Sequence, residues 1–171
     1  MSKLKVTAMC AVLAAGGLSG CTSMEPDIFQ LAKGDISGAS SFGNGPEQVW
    51  VDKAKEQYRN GNYGLAERHY RQAVEERYNN VEAWLGLAAS YDQLKQFEQA
   101  DRAYQVVVKM VGHTPTVLNN LGYHYMLRGD FASAERALQA AHSADPENPY
   151  IRNNMAALED WKAAGGAGGR G

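Results

Sequence analysis

Between residues 47 and 162, apolar side chains return every three or four positions, the spacing of one face of a helix, as in Trp84, Leu87, Tyr91 and Leu94. A longer period overlies the helical one. After a shift of 34 residues, small and large residues return together. Gly61-Asn62-Tyr63 is followed by Lys95-Gln96-Phe97 and Gly129-Asp130-Phe131. Ala66, Ala100 and Ala134 align, as do Tyr70, Tyr104 and Leu138, and then Ala73, Val107 and Ala141. Earlier in each unit, Trp50, Trp84 and Leu118 align, with Ala54, Ala88 and Gly122 one turn later. The pattern predicts two antiparallel helices per unit over 47–80, 81–114 and 115–148. Small residues let the helices approach, and turn chemistry at Asn60-Gly61 and Arg128-Gly129-Asp130 ends the first helices.

The first unit carries Lys53 and Gln57 where apolar residues are usual, and Tyr58 is expected to pack in their place. Pro146 closes the third unit, while Gly112 stands at the same place in the second. Residues 149–162 predict a capping helix that starts at Pro149 and turns Ile151, Met155, Leu158 and Trp161 toward the third unit. Residues 163–171, rich in Gly and Ala, bury too little apolar surface to offset their ordering entropy, so a disordered tail is expected.

Period and pattern together resemble the tetratricopeptide repeat. The resemblance implies an all-α solenoid of three helix-turn-helix repeats plus a C-terminal capping helix. It also implies a concave groove lined by the first helix of each unit. Its groove positions, carried over one by one, give Thr116, Asn119, Asn120, Tyr123, Met126 and Leu127 in the third unit and Tyr150, Asn153 and Asn154 in the cap. The second unit contributes Glu82, Leu85, Ala89, Asp92 and Gln93, and the first contributes Val51, Lys55, Tyr58 and Arg59. Asn119-Asn120 and Asn153-Asn154 fall at equivalent places on neighbouring helices. Each amide has a donor and an acceptor, so two such rungs are suited to gripping an extended peptide backbone. The alternative is a solvated family asparagine. Tyr123, Met126 and Tyr150 add side chains typical of binding surfaces. Lys55 and Arg59, one turn apart, are candidates for an acidic group, although Asp52 and Glu56 nearby favour a solvated helix face.

The amino-terminal stretch has a different character. Lys3 and Lys5 precede an apolar run from Val6 to Leu18 that is too short for a bilayer core of roughly 20 residues but suits a secretory leader. It ends in Leu18-Ser19-Gly20-Cys21, which resembles the bacterial lipobox. That resemblance implies removal of residues 1–20 and lipidation of Cys21. Cys10 would leave with the leader, so the lone remaining cysteine has a use. Thr22 is not the aspartate that favours inner-membrane retention in enterobacterial lipoproteins, so the expectation is an outer-membrane anchor facing the periplasm. Residues 22–46, dominated by Ser, Gly, Asp, Pro and Asn, read as a flexible tether, interrupted by a short apolar element around Ile28, Phe29 and Leu31.

Composition removes several function classes. The net charge is −2 and falls to −4 without the leader, so nothing points to nucleic acid. His69, His113, His124 and His142 show no metal-site spacing, and neither a nucleophile elbow nor a phosphate loop is present. The expectation is a binding protein, not an enzyme, with no cofactor and no metal.

One part of the chain resembles a narrower group. Val117-Leu118-Asn119-Asn120-Leu121-Gly122-Tyr123, Leu127-Arg128-Gly129-Asp130-Phe131 and Asn148-Pro149-Tyr150-Ile151-Arg152-Asn153-Asn154-Met155-Ala156 are similar to the TadD family. These are repeat lipoproteins of the tight-adherence (Flp-type) pilus machinery. The resemblance implies a pilotin-like assembly factor whose protein partner is a secretin or another pilus component, with the membrane reached through lipid. The competing expectation is a general periplasmic scaffold that gathers envelope enzymes or outer-membrane assembly factors.

Overall fold

Seven helices follow one another in the computed structural model, which describes residues 45–168, with side chains to residue 163. They are α1 (Gln48–Arg59), α2 (Tyr63–Glu76), α3 (Val81–Gln93), α4 (Phe97–Val111), α5 (Pro115–Leu127), α6 (Phe131–Ala144) and α7 (Pro149–Gly168). The described residues are therefore all-α: three helix pairs and a capping helix. The leader over 1–20, Cys21 and the tether up to residue 44 lie outside the described residues, as do residues 169–171.

The three first helices end by the same device. The backbone N–H groups of Asn62, Gln96 and Asp130 donate to the carbonyls of Gln57, Tyr91 and Tyr125, each at 2.9 Å. This closure needs a left-handed residue just before the donor. Gly61 and Gly129 supply it at φ 73° and 76°, while Lys95 adopts it at φ 59° without glycine's freedom. The starts of α3, α6 and α5 are capped by side chains. Asn80 accepts from the Ala83 N–H, Asp130 from that of Ser133, and Thr114 from that of Val117, with Pro115 at the first turn of α5.

Pairing within each unit follows the repeated small residues. Ala54, Ala66, Ala88, Ala100 and Ala134 are all fully buried. At Gly122, an added Cβ would lie 2.5 Å from Leu138 Cγ, so α5 and α6 are closer there than alanine allows. Tyr58 fills the first unit's seam as expected: it is buried and meets Tyr63 edge-on, with ring centroids 5.0 Å apart. The pairs then stack. α1 touches α3, α3 touches α5 and α5 touches α7, which makes an inner row. α2, α4 and α6 form the outer row, each packed on the inner helices beside it.

The cap departs from expectation in two ways. α7 continues to Gly168, beyond the expected end at 162, so the segment 163–171 begins as helix. Two alanines directly after Lys162 favour propagation of the backbone ladder. Ile151 and Leu158 are buried as expected, but Trp161 is 38% exposed. Asn154 takes a buried place between them, for a reason given below.

Candidate functional site

The inner row presents one face of each first helix, and the repeat register decides which of its side chains remain available. Tyr58, Asp92 and Met126 are equivalent by the repeat, and all three are buried, at 6%, 1% and 1%. Met126 packs with Leu138 and Leu158. The expectation that Met126 is a groove contact is thereby corrected: neighbouring helices close over this register position in every unit.

The asparagines are also placed differently from two ligand-facing rungs. Asn119 and Asn154 are 3% and 4% exposed, and the Asn154 amide donates to Asn119 Oδ1 at 2.9 Å. They clasp α5 to α7. Asn120, at 3%, donates to the Thr116 carbonyl of its own helix at 2.9 Å. Asn153 alone is exposed: among the described residues no further helix packs beyond the cap.

Other predicted residues do reach solvent. Tyr123 and Tyr150 are half-buried on α5 and α7. Lys55 is half-buried and bonds Glu82 Oε1 at 2.7 Å, which ties α1 to α3. Arg59 is exposed one turn on. The stripe that remains runs from Arg59 and Lys55 through Glu82 and Gln93 to Tyr123 and Tyr150, cationic at one end and aromatic at the other.

Beneath this stripe lies a polar network that the sequence reading missed. His124, fully buried on α5, has Nδ1 at 2.6 Å from Asp92 Oδ1 on α3 and Nε2 at 3.1 Å from Asp101 Oδ1 on α4. Each ring nitrogen thus faces a carboxylate oxygen. Tyr104 donates its hydroxyl to Asp92 Oδ2 at 3.0 Å, and Arg128 Nη1 donates to Asp101 Oδ2 at 2.8 Å. Burial raises the Asp92 carboxyl above its ordinary range, and the hydrogen bonds from His124 and Tyr104 oppose the rise. Burial also holds the Tyr104 hydroxyl well above its usual value, and the Asp92 charge adds to that. The one available signal was the register: an aspartate stands where the other units have Tyr58 and Met126, both large.

The network is sealed from solvent at His124 and Asp92 and reaches the surface at Asp101 and Arg128, and it joins the second and third units. Among the described residues, no cluster of three His, Cys, Asp or Glu side chains could hold a metal ion.

Comparison with known proteins agrees with this geometry. The tetratricopeptide-repeat sequence pattern matches residues 51–109 and again 115–148. No curated protein matches this sequence. Among solved structures, the first such domain of the human RPAP3 protein is similar, with a TM-score of 0.60 and 17% identity over 69% of this chain and 93% of that one. The Yersinia enterocolitica type III secretion translocator chaperone SycD gives a TM-score of 0.58 and 19% identity over 69% and 89%. PcrH, solved with the chaperone-binding region of PopD, gives 0.57 and 21% over 68% and 91%. At these identities the likeness is one of fold. With the repeat register, the helix pairs and the inner row in agreement, the chain belongs to the tetratricopeptide-repeat family.

Proposed function

We propose that this chain is a non-catalytic lipoprotein that holds a segment of a protein partner along its inner helix face and assists assembly of a tight-adherence (Flp-type) pilus apparatus. The partner is a secretin or another component of that apparatus. The observation that carries the binding role is the continuous inner row, whose stripe from Arg59 to Tyr150 keeps one exposed and several half-buried side chains at the surface. Structural neighbours support peptide capture on such a scaffold. One is SycD in complex with a peptide of the translocator YopD, and another is the first repeat domain of Spaghetti bound to the HSP90 peptide SRMEEVD. The pilus assignment rests on the similarity of residues 115–158 to TadD-type lipoproteins.

Attachment to the outer membrane, facing the periplasm, rests on the Leu18-Ser19-Gly20-Cys21 motif. Several acyl chains, at about 0.8 kcal/mol per buried CH₂, hold a protein on a bilayer almost permanently. Among the described residues no helix is long and apolar enough to cross a membrane. Two experiments test the proposal. Cys21→Ser should move the protein from the membrane fraction to the soluble one, and continued membrane fractionation would sink the anchor. Deletion of the protein should reduce secretin multimers and surface pili. Unchanged multimers and pili would reject the assembly role and return the chain to a general scaffold.

A further inference from the structure

The outer row does not close as the inner row does. α2 and α4 are bridged chiefly by α3, and between them lies a gap of about 540 Å³ on the face opposite the stripe. Val74 of α2, Trp84 and Leu87 of α3 and Val106 of α4 line it, with Glu75 on the α2 rim and Arg102 on the α4 rim. Its volume falls within the roughly 300–1,000 Å³ of pockets that take several apolar groups. Trp84 and Leu87 are repeat-pattern residues of α3, so the floor of the gap is set by the repeat and its rims by Glu75 and Arg102.

We propose that this gap is the docking site of the chain's own segment Glu25–Leu31. Three observations select this occupant over an external one. First, Ile28, Phe29 and Leu31 form the one apolar cluster in an otherwise polar stretch between residues 25 and 41. Glu25 and Asp27 precede it, so its acidic end is complementary to Arg102, across the gap from Glu75. Second, the chain enters the folded domain beside the gap. Glu47 bonds Arg77 at 3.0 Å, and Trp50 Nε1 donates to Glu76 at 2.7 Å, so residues 47–50 are fixed at the end of α2 that supplies Val74 and Glu75. Third, the length fits. Thirteen residues separate Leu31 from Gly45, and they span at most about 45 Å. The fourteen-residue α2 is only about 21 Å long, so the segment reaches any point of the gap. Because the segment is tethered, its effective concentration is on the order of millimolar, and modest apolar burial is enough to hold it.

With Cys21 lipidated as proposed above, docking would hold the domain near the membrane. The inference itself does not depend on lipidation and is tested without it. The chain from Thr22 to Gly171 keeps every described residue and contains no cysteine. In that chain, Phe29→Cys combined with Val106→Cys should form an intrachain disulfide on mild oxidation at least about tenfold faster than Phe29→Cys combined with Asn153→Cys, because bridging needs Cα atoms within about 7 Å. Equal rates, or faster closure to position 153, would overturn the proposal. A disulfide-linked dimer at low protein concentration would assign the gap to a second copy and overturn it as well. A variant outside the folded helices provides the second reading: Phe29→Asp should shift the Trp84 indole NMR resonance and leave that of Trp161 in place. An unmoved Trp84 resonance would also overturn the proposal.

Discussion

The carboxylate of Asp92 and the imidazole of His124 stand 2.6 Å apart, 32 residues apart in sequence, with neither side chain more than 1% exposed. Their contact joins the last turn of α3 to the last turn of α5. It therefore joins two repeats and not two helices of one repeat. Most of the solenoid is held by apolar seams that tolerate small shifts. This junction is held by directional bonds that fix the angle between the second and third units, and so the path of the inner face across them.

Removing His124 leaves the buried Asp92 carboxyl with the Tyr104 hydroxyl as its remaining partner, which costs up to about 3–5 kcal/mol. His124→Leu should therefore lower stability by that order in urea unfolding monitored by circular dichroism. Replacing both partners, as His124→Leu with Asp92→Leu, removes the uncompensated charge and should recover a substantial part of the loss. If the double variant is as unstable as the sum of the two single variants, the pair does not act as a unit.

The clasp between Asn119 and Asn154 makes a separate prediction. Asn154→Ala leaves the buried Asn119 carbonyl without its donor, at a cost of about 1–3 kcal/mol. The loss should concentrate in α7, where amide hydrogen exchange is expected to quicken while α1 to α4 stay protected. Arg59→Ala, by contrast, changes an exposed side chain on the stripe and should weaken partner capture with little change in melting temperature. Uniform exchange across the chain in the Asn154 variant would remove the clasp from the account.

The difference between these two residues shows what the sequence could and could not reveal. The repeat itself was legible, because a position that must be small, such as Ala66, Ala100 and Ala134, is small in every unit. The groove was legible only as a set of positions. Which of them stay open depends on what stacks against each helix, and that is set by the next unit. Asn153 and Asn119 occupy the same register position, yet Asn153 is exposed at the end of the array and Asn119 is buried within it. Asp92 is assigned to the groove because it holds a family groove position. Its burial follows from partners on α4 and α5 that no local pattern announces.

Lys95 is the one non-glycine residue with positive φ among the described residues, at 59°, in the turn where the other units use Gly61 and Gly129. A left-handed conformation costs an ordinary L-residue roughly 1–2 kcal/mol, and glycine gives part of that back as unfolded-state entropy. Lys95→Gly should stabilise the protein by up to about 1 kcal/mol, read as a higher melting temperature with the helical spectrum unchanged. A lower melting temperature would mean that the lysine side chain contributes more than its backbone costs.

The closest approach between the first and second units lies at Gly86 of α3, against Tyr70 of α2. A Cβ added there would sit 2.2 Å from Tyr70 Cζ and 2.4 Å from a neighbouring ring carbon. At Gly122 the atoms in the way belong to a leucine, which has other rotamers. The Tyr70 ring is rigid, fully buried and enclosed by Ala66 and Ala73 of its own helix. Gly86→Ala must therefore push α2 and α3 apart, although alanine is the better helix former by about 1 kcal/mol. Overpacking costs typically about 1–3 kcal/mol and should outweigh that gain, so the variant is expected to melt lower. Adding Tyr70→Leu to Gly86→Ala should return part of the loss by removing the ring. If Gly86→Ala alone raises the melting temperature, the two helices have room that the observed approach of Tyr70 denies.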